Sequence, residues 1–229
     1  MEAGIALALM KFNRKLWLEE GEKANLGQVI NRMFAENDLE KENVYVGGFS
    51  SGGTISLLIG NYLAESESKV QPKGIFIIDS PVDLLGLYEN SQRNIQRDFS
   101  PVSVRESQMI VNMLASRFGK PERSIEPYEQ HSVYTLKTHN TENVSDLQHV
   151  KLRFYTEPDT TWWKQNRRYE YEEMNAYFIK HLANDLAKEY GDNVAYIPTE
   201  NRGYRSSGER HPHAWSIVDV DDLIQWMKD

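Results

Sequence analysis

The 229-residue sequence contains no cysteine, so it can form neither a disulfide nor a thiolate metal site. That absence leaves the compartment open, because cytosolic and exported proteins alike do without cysteine. Positive charge is in deficit: 26 Lys and Arg stand against 34 Asp and Glu, a net charge of −8. An acidic surface repels phosphate, which argues against a nucleic-acid partner. No apolar run approaches the roughly 20 residues of a membrane span. Met1-Glu2-Ala3-Gly4 lacks the pattern of a signal peptide. Neither G-x-G-x-x-G nor G-x-x-x-x-G-K-[ST] occurs, so the usual phosphate-cradling loops are missing. There is no internal repeat and no low-complexity tract. What is present is 40% apolar and 11% aromatic residues, enough for a sizeable core in a chain whose length fits one domain.

The most informative stretch is Asn43-Val44-Tyr45-Val46-Gly47-Gly48-Phe49-Ser50-Ser51-Gly52-Gly53-Thr54. An apolar run ends in glycines, a serine follows, and an apolar helix begins near Ile55. Gly48-Phe49-Ser50-Ser51-Gly52 matches G-x-S-x-G in a strand–turn–helix setting. A strand that turns at once into a helix puts the turn residue in strained backbone angles. Its neighbours must then lack a Cβ, because strand and helix nearly touch. Ser50 Oγ is left protruding at the strand end. The helix N-terminus offers free N–H groups and a positive dipole end to a developing oxyanion.

Around this stretch, apolar runs alternate with helical periodicity. Ile5-Ala6-Leu7-Ala8-Leu9-Met10 reads as a buried parallel strand. Arg14 and Trp17 follow in the loop leaving its end. Leu26, Val29, Ile30, Met33 and Phe34 fall at helical spacing from Asn25, a candidate N-cap. Gly74–Asp79, Val150–Tyr155 and Asn193–Pro198 read as further strands. Helices are expected over 172–190 and 220–227. This order predicts an α/β fold with a doubly wound, mostly parallel sheet. About seventy residues, 80–147, separate two of the strands, more than an ordinary crossover needs. They include a helix around 107–115 and are expected to form a helical lid or cap.

Serine after one strand, an acid after a later one and histidine after the last resembles the α/β-hydrolase family, whose triad runs in that order. The resemblance covers nearly the whole chain. It makes Val44–Gly47 similar to the family's fifth strand, with Ser50 as nucleophile. Tyr155-Thr156-Glu157-Pro158-Asp159 is similar to the Y-G-x-x-D end of the seventh strand and carries the acid to Asp159; Thr156 stands where the family has glycine. His213-Ala214-Trp215 resembles the family's histidine, small residue and aromatic before the last helix. Glu157 and Asp79 compete with Asp159, and His211 competes with His213.

The resemblance implies a serine hydrolase that cleaves an ester or other acyl bond of a small-molecule substrate through an acyl-enzyme, with no cofactor and no metal. Ser50, His213 and Asp159 form the triad, and the Ser51 N–H serves the oxyanion hole. Trp17, Phe49, Trp162, Trp163 and His211 are expected at the substrate. Arg167, Arg168, Arg202, Arg205 and Arg210 hint at an anionic one. A peptidase on the same scaffold, or a binding protein that keeps the fold without turnover, are the alternatives. Ile5–Met10 corresponds to the family's fourth strand, so the chain reads as lacking the leading strands and the loop that supplies the second oxyanion donor. An exposed sheet edge would then invite pairing with a second copy.

Overall fold

The computed structural model describes residues 4–12, 15–66 and 68–229. Four strands form its sheet: β1 (Val44–Phe49), β2 (Pro72–Ile78), β3 (Lys151–Thr156) and β4 (Val194–Pro198). They lie in the order β1-β2-β3-β4 and every pair is parallel. The chain is therefore an α/β protein with an all-parallel sheet. Among the described strands the order never reverses, so the expected doubly wound arrangement is not seen there.

Helices cover both faces, as a parallel sheet requires. On one face Ile75, Ile77, Leu152 and Phe154 meet α2 (Ser51–Glu65) and α7 (Asn175–Tyr190). Leu57, Leu63, Ile179 and Leu182 fill that layer, and α1 (Glu20–Glu36) packs on α2 through Leu26 and Ile30. On the other face Ile78 and Tyr155 meet Leu223 and Trp226 of α8 (Val220–Lys228). Period-two alternation along β2 and β3 sorts the two sets of side chains.

The 80–147 region contains α3 (Leu84–Arg97), α4 (Pro101–Phe118) and the single turn α5 (Glu126–Glu129). It has a small core of its own, built from Leu84, Leu85, Tyr88, Leu114, Phe118 and Tyr128. Asp83 fixes its entrance: the carboxylate accepts the Gly86 N–H and the Leu136 N–H, both at 2.9 Å.

Ile5–Met10 forms no strand. Leu7 and Leu9 are 76% and 88% exposed. An apolar run becomes a strand only beside a partner that takes its backbone hydrogen bonds. Among the described strands β1 pairs with β2 alone, so its other side is a free edge.

The chain is anchored after that run. Leu18 enters the main core and Leu16 the core under α3 and α4. Trp17, expected at the substrate, packs against α4 instead. Its ring meets Phe118 of α4 edge-on at 5.0 Å and its Nε1–H donates to Glu19 at 2.9 Å. Arg117 grips the same carboxylate with two hydrogen bonds of 2.7 Å and holds its pKa down to about 2. Arg14 falls outside the described residues.

Candidate active site

Ser50 sits between the last residue of β1 and the first of α2, with φ 54° and ψ −130°. A side chain at positive φ is strained, and such strain persists only where the surroundings enforce it. Here the Ser50 N–H donates to the Ile78 carbonyl at 2.9 Å, pinning the turn to the end of β2. A Cβ on Gly48 would lie 2.3 Å from the Gly52 carbonyl carbon. A Cβ on Gly53 would lie 2.1 Å from Ser80 Oγ. Gly52, the motif's closing glycine, has open space instead. The close approach thus falls on Gly48 and Gly53, one residue beyond the G-x-S-x-G pattern. Ser51 opens α2, where the first N–H groups have no intrahelical acceptor.

His213 lies in the loop after β4. Its Nδ1 is 2.6 Å from Asp79 Oδ2, and its ring packs on Phe49 with centroids 4.4 Å apart. Phe49 immediately precedes Ser50, so the imidazole stands next to the strained turn. Nδ1 is engaged by the carboxylate, which leaves Nε2 as the nitrogen able to act as a base. Among the described residues no hydrogen bond joins Ser50 Oγ to His213.

The carboxylate at His213 is therefore that of Asp79, not Asp159. Asp79 follows the last residue of β2 and is held firmly. Its φ is 43°, its N–H donates to the Tyr155 carbonyl at 2.9 Å, and its own carbonyl accepts from Asn175 Nδ2 at 2.9 Å. Asp159 is turned to other work. It caps α6 (Thr160–Arg167) by accepting the Trp162 N–H at 2.9 Å, and its other oxygen takes Arg210 Nη2 at 2.7 Å. Glu157 is buried and also taken: it accepts Arg210, the Arg202 N–H and Thr199 Oγ1. Arg210 thus ties the loop after β3 to the loop that carries His213. An Asp at a helix start followed by Thr-Thr-Trp is an N-cap signal in the sequence; the bridging role of Arg210 has no such signal.

The remaining expected site residues form an aromatic cluster beside these loops. Trp162 lies 4.7 Å from the His211 ring and 5.1 Å from Trp163. Trp163 stacks on Tyr169 at 5.6 Å, interplanar angle 8°. His211 is buried and its Nδ1 lies 3.1 Å from the His213 carbonyl, so the neutral tautomer with a proton on Nδ1 supports the loop. The expected arginine cluster is largely neutralised: Arg210 meets Glu157 and Asp159, Arg202 meets Asp219, and Arg205 meets Glu209. Among the described residues no three His, Asp or Glu side chains gather as metal ligands, and no helix is long and apolar enough to cross a membrane.

Burial lowers the pKa of His211 from 6.5 to about 4. A group whose folded pKa is depressed loses its contribution as pH falls from the unfolded toward the folded value. The stabilisation by neutral His211 is full above pH 6.5 and drains away down to about 4, a loss of at most about 3 kcal/mol. Asp83 acts in the opposite sense, since burial raises its pKa from 3.8 to about 6. The urea midpoint of His211→Gln is expected to fall less than that of the wild type between pH 7 and pH 4.5. Equal falls would show that His211 does not titrate differently on unfolding.

No protein-family model matches the chain, and no curated protein matches it at a significant level.

Proposed function

We propose that the protein is a serine hydrolase of the α/β-hydrolase type, with Ser50 as nucleophile, His213 as general base and Asp79 as the orienting acid. The observation that carries this reading is the 2.6 Å contact between His213 Nδ1 and Asp79, made beside a serine held at φ 54°. His213 Nε2 takes the Ser50 proton as Oγ attacks the acyl carbon, and returns it to the leaving group. Asp79 holds the proton on Nδ1 and stabilises the imidazolium. The Ser51 N–H, at the positive end of α2, stabilises the oxyanion. The helices of 80–147 serve as the lid. Oγ and Nε2 come into hydrogen-bond reach in the substrate complex, since such contacts are often long in a free enzyme.

A fluorophosphonate probe followed by intact-protein mass spectrometry tests the proposal. One adduct is expected, located at Ser50 by peptide mapping and absent from Ser50→Ala. A folded wild type that takes no adduct would overturn the hydrolase reading and favour a binding protein on the same scaffold.

A further inference from the structure

The carboxylate of Asp79 is aimed by its backbone. Among the described residues its side chain has one hydrogen-bond partner, His213 Nδ1 at 2.6 Å. Glu157, by contrast, accepts from Arg210, from Thr199 and from the Arg202 N–H, so its side chain is fixed directly. What sets the direction of the Asp79 carboxylate is therefore the residue's own φ of 43°. A residue with a Cβ keeps such a conformation only where its surroundings enforce it.

Two bonds enforce it. The Asp79 N–H donates to the Tyr155 carbonyl at 2.9 Å, main chain to main chain. The Asp79 carbonyl accepts from Asn175 Nδ2 at 2.9 Å, a side chain 96 residues away. Asn175 is the first residue of α7, yet it does not cap the helix: the N-cap is Met174. Among the described residues its amide makes no hydrogen bond except the one to Asp79. Its own position is set from elsewhere. Two residues before it, buried Glu173 takes both hydrogen bonds of Arg97 Nη2, at 2.7 and 2.9 Å, and the Glu170 N–H at 2.9 Å. Asn90 of α3 donates to the Glu173 carbonyl at 3.2 Å. Asn175 is thus fastened through α3 and brings a fixed donor to Asp79.

We propose that Asn175 is a positioning residue for the general base, acting through Asp79; the inference rests on the hydrolase reading, in which His213 is that base. Without the Nδ2 donor the Asp79 carbonyl is released, and the residue relaxes toward a negative φ. Its carboxylate then swings off Nδ1. The imidazole proton is no longer held there, and the tautomer with a lone pair on Nε2, the one able to take the Ser50 proton, loses population.

Asn175→Leu keeps the shape of the side chain and removes its donor; Asn175→Ala, which adds no bulk, takes its place should the leucine not be accommodated. Long-range proton–nitrogen correlation NMR of the neutral imidazoles, with His213 assigned through His213→Gln, reads which ring nitrogen carries the proton. Wild type is expected to hold it on Nδ1, and the variant to carry it on Nε2 in at least half of the molecules. The kcat for a 4-nitrophenyl ester is expected to fall at least tenfold with KM within twofold. Added to Asp79→Asn, the same substitution is expected to cost less than a further twofold, because nothing is left for it to position. Asn143→Leu is the control. That amide also grips main-chain carbonyls, of Glu129 and Ser132 at 3.0 and 2.7 Å, and its loss is expected to lower the urea midpoint without moving tautomer or kcat. An Asn175 variant with the wild-type tautomer and kcat, or a full tenfold loss on top of Asp79→Asn, would overturn the inference and leave the hydrolase reading standing. A wild type that takes no fluorophosphonate and hydrolyses no ester, while the His213 tautomer still changes in the variant, would sink the hydrolase reading and leave the role of Asn175 at the His213–Asp79 pair.

Discussion

Under the proposed mechanism Asp79→Asn is expected to lower kcat by about 10⁴, the size of effect seen when an orienting aspartate is replaced by its amide, while Asp159→Asn is expected to leave kcat within severalfold of wild type. The two substitutions are nearly isosteric and remove one charge each, so the comparison isolates the partner of His213. Asp79 Oδ2 lies 2.6 Å from Nδ1 and keeps the proton on that nitrogen. An amide presents an N–H there instead. The imidazole then carries its proton on Nε2 and has no lone pair for Ser50. Asp159 meets Arg210 and caps α6. Its replacement is a structural matter: Asn caps a helix about as well as Asp, so what is lost is the charge facing one arm of Arg210. Kinetics with a 4-nitrophenyl ester and urea unfolding of both variants read the two effects separately. If Asp159→Asn is the inactive variant and Asp79→Asn is not, the assignment of the acid is reversed.

Those two aspartates mark the boundary of what a single sequence discloses here. Both follow an apolar strand, so periodicity places both at the same end of the sheet. Which of them turns toward the histidine depends on the loop path. Asp79 is swung by a positive φ and fastened through Tyr155 and Asn175, residues distant in sequence. The positions of Ser50 at the turn before α2 and of His213 in the loop after β4 are legible for the opposite reason. The serine's surroundings are local, a glycine-flanked junction between an apolar run and an apolar helix. His213 follows the last apolar run and precedes the closing helix.

The same contrast holds across the fold. All four strands read as short apolar or alternating runs, and α7 and α8 as periodic ones. Apolar spacing puts the start of α1 at Asn25, whereas the helix begins at Glu20. Its start is set by Glu22, whose carboxylate accepts the Glu19 N–H at 3.1 Å, an exchange with no apolar residue in it. Helix α3 escapes a periodicity reading because Asn90, Ser91 and Asn94 interrupt its apolar face. Ile5–Met10 reads as a strand and forms none, because apolarity says that a segment wants burial, not that a partner strand is there to provide it.

The steric junction behind Ser50 gives the second large effect, a loss of about 3 kcal/mol or more in Gly48→Ala. The added Cβ would sit 2.3 Å from Gly52 C, 2.5 Å from Gly52 O and 2.7 Å from Gly53 N. All three are backbone atoms, so no rotamer change relieves the clash. Strand β1 and helix α2 must move apart, and overpacking of this kind costs about 1–3 kcal/mol, occasionally more. In a chain of this length that lowers Tm by roughly 6–12 °C. Gly53→Ala is expected to be milder, because its closest neighbour at 2.1 Å is the Ser80 hydroxyl, a side chain that can turn, although Gly48 O lies at 2.9 Å. Gly52→Ala meets nothing within 4 Å and should unfold with the wild type. The order Gly48, Gly53, Gly52 in thermal unfolding is the test, and an equal or larger loss at Gly52 would refute the close approach. Fluorophosphonate labelling adds the functional half. Separating β1 from α2 disturbs the turn that holds Ser50 beside His213, so Gly48→Ala, assayed well below its Tm, is expected to label at least a hundredfold more slowly than wild type while remaining folded.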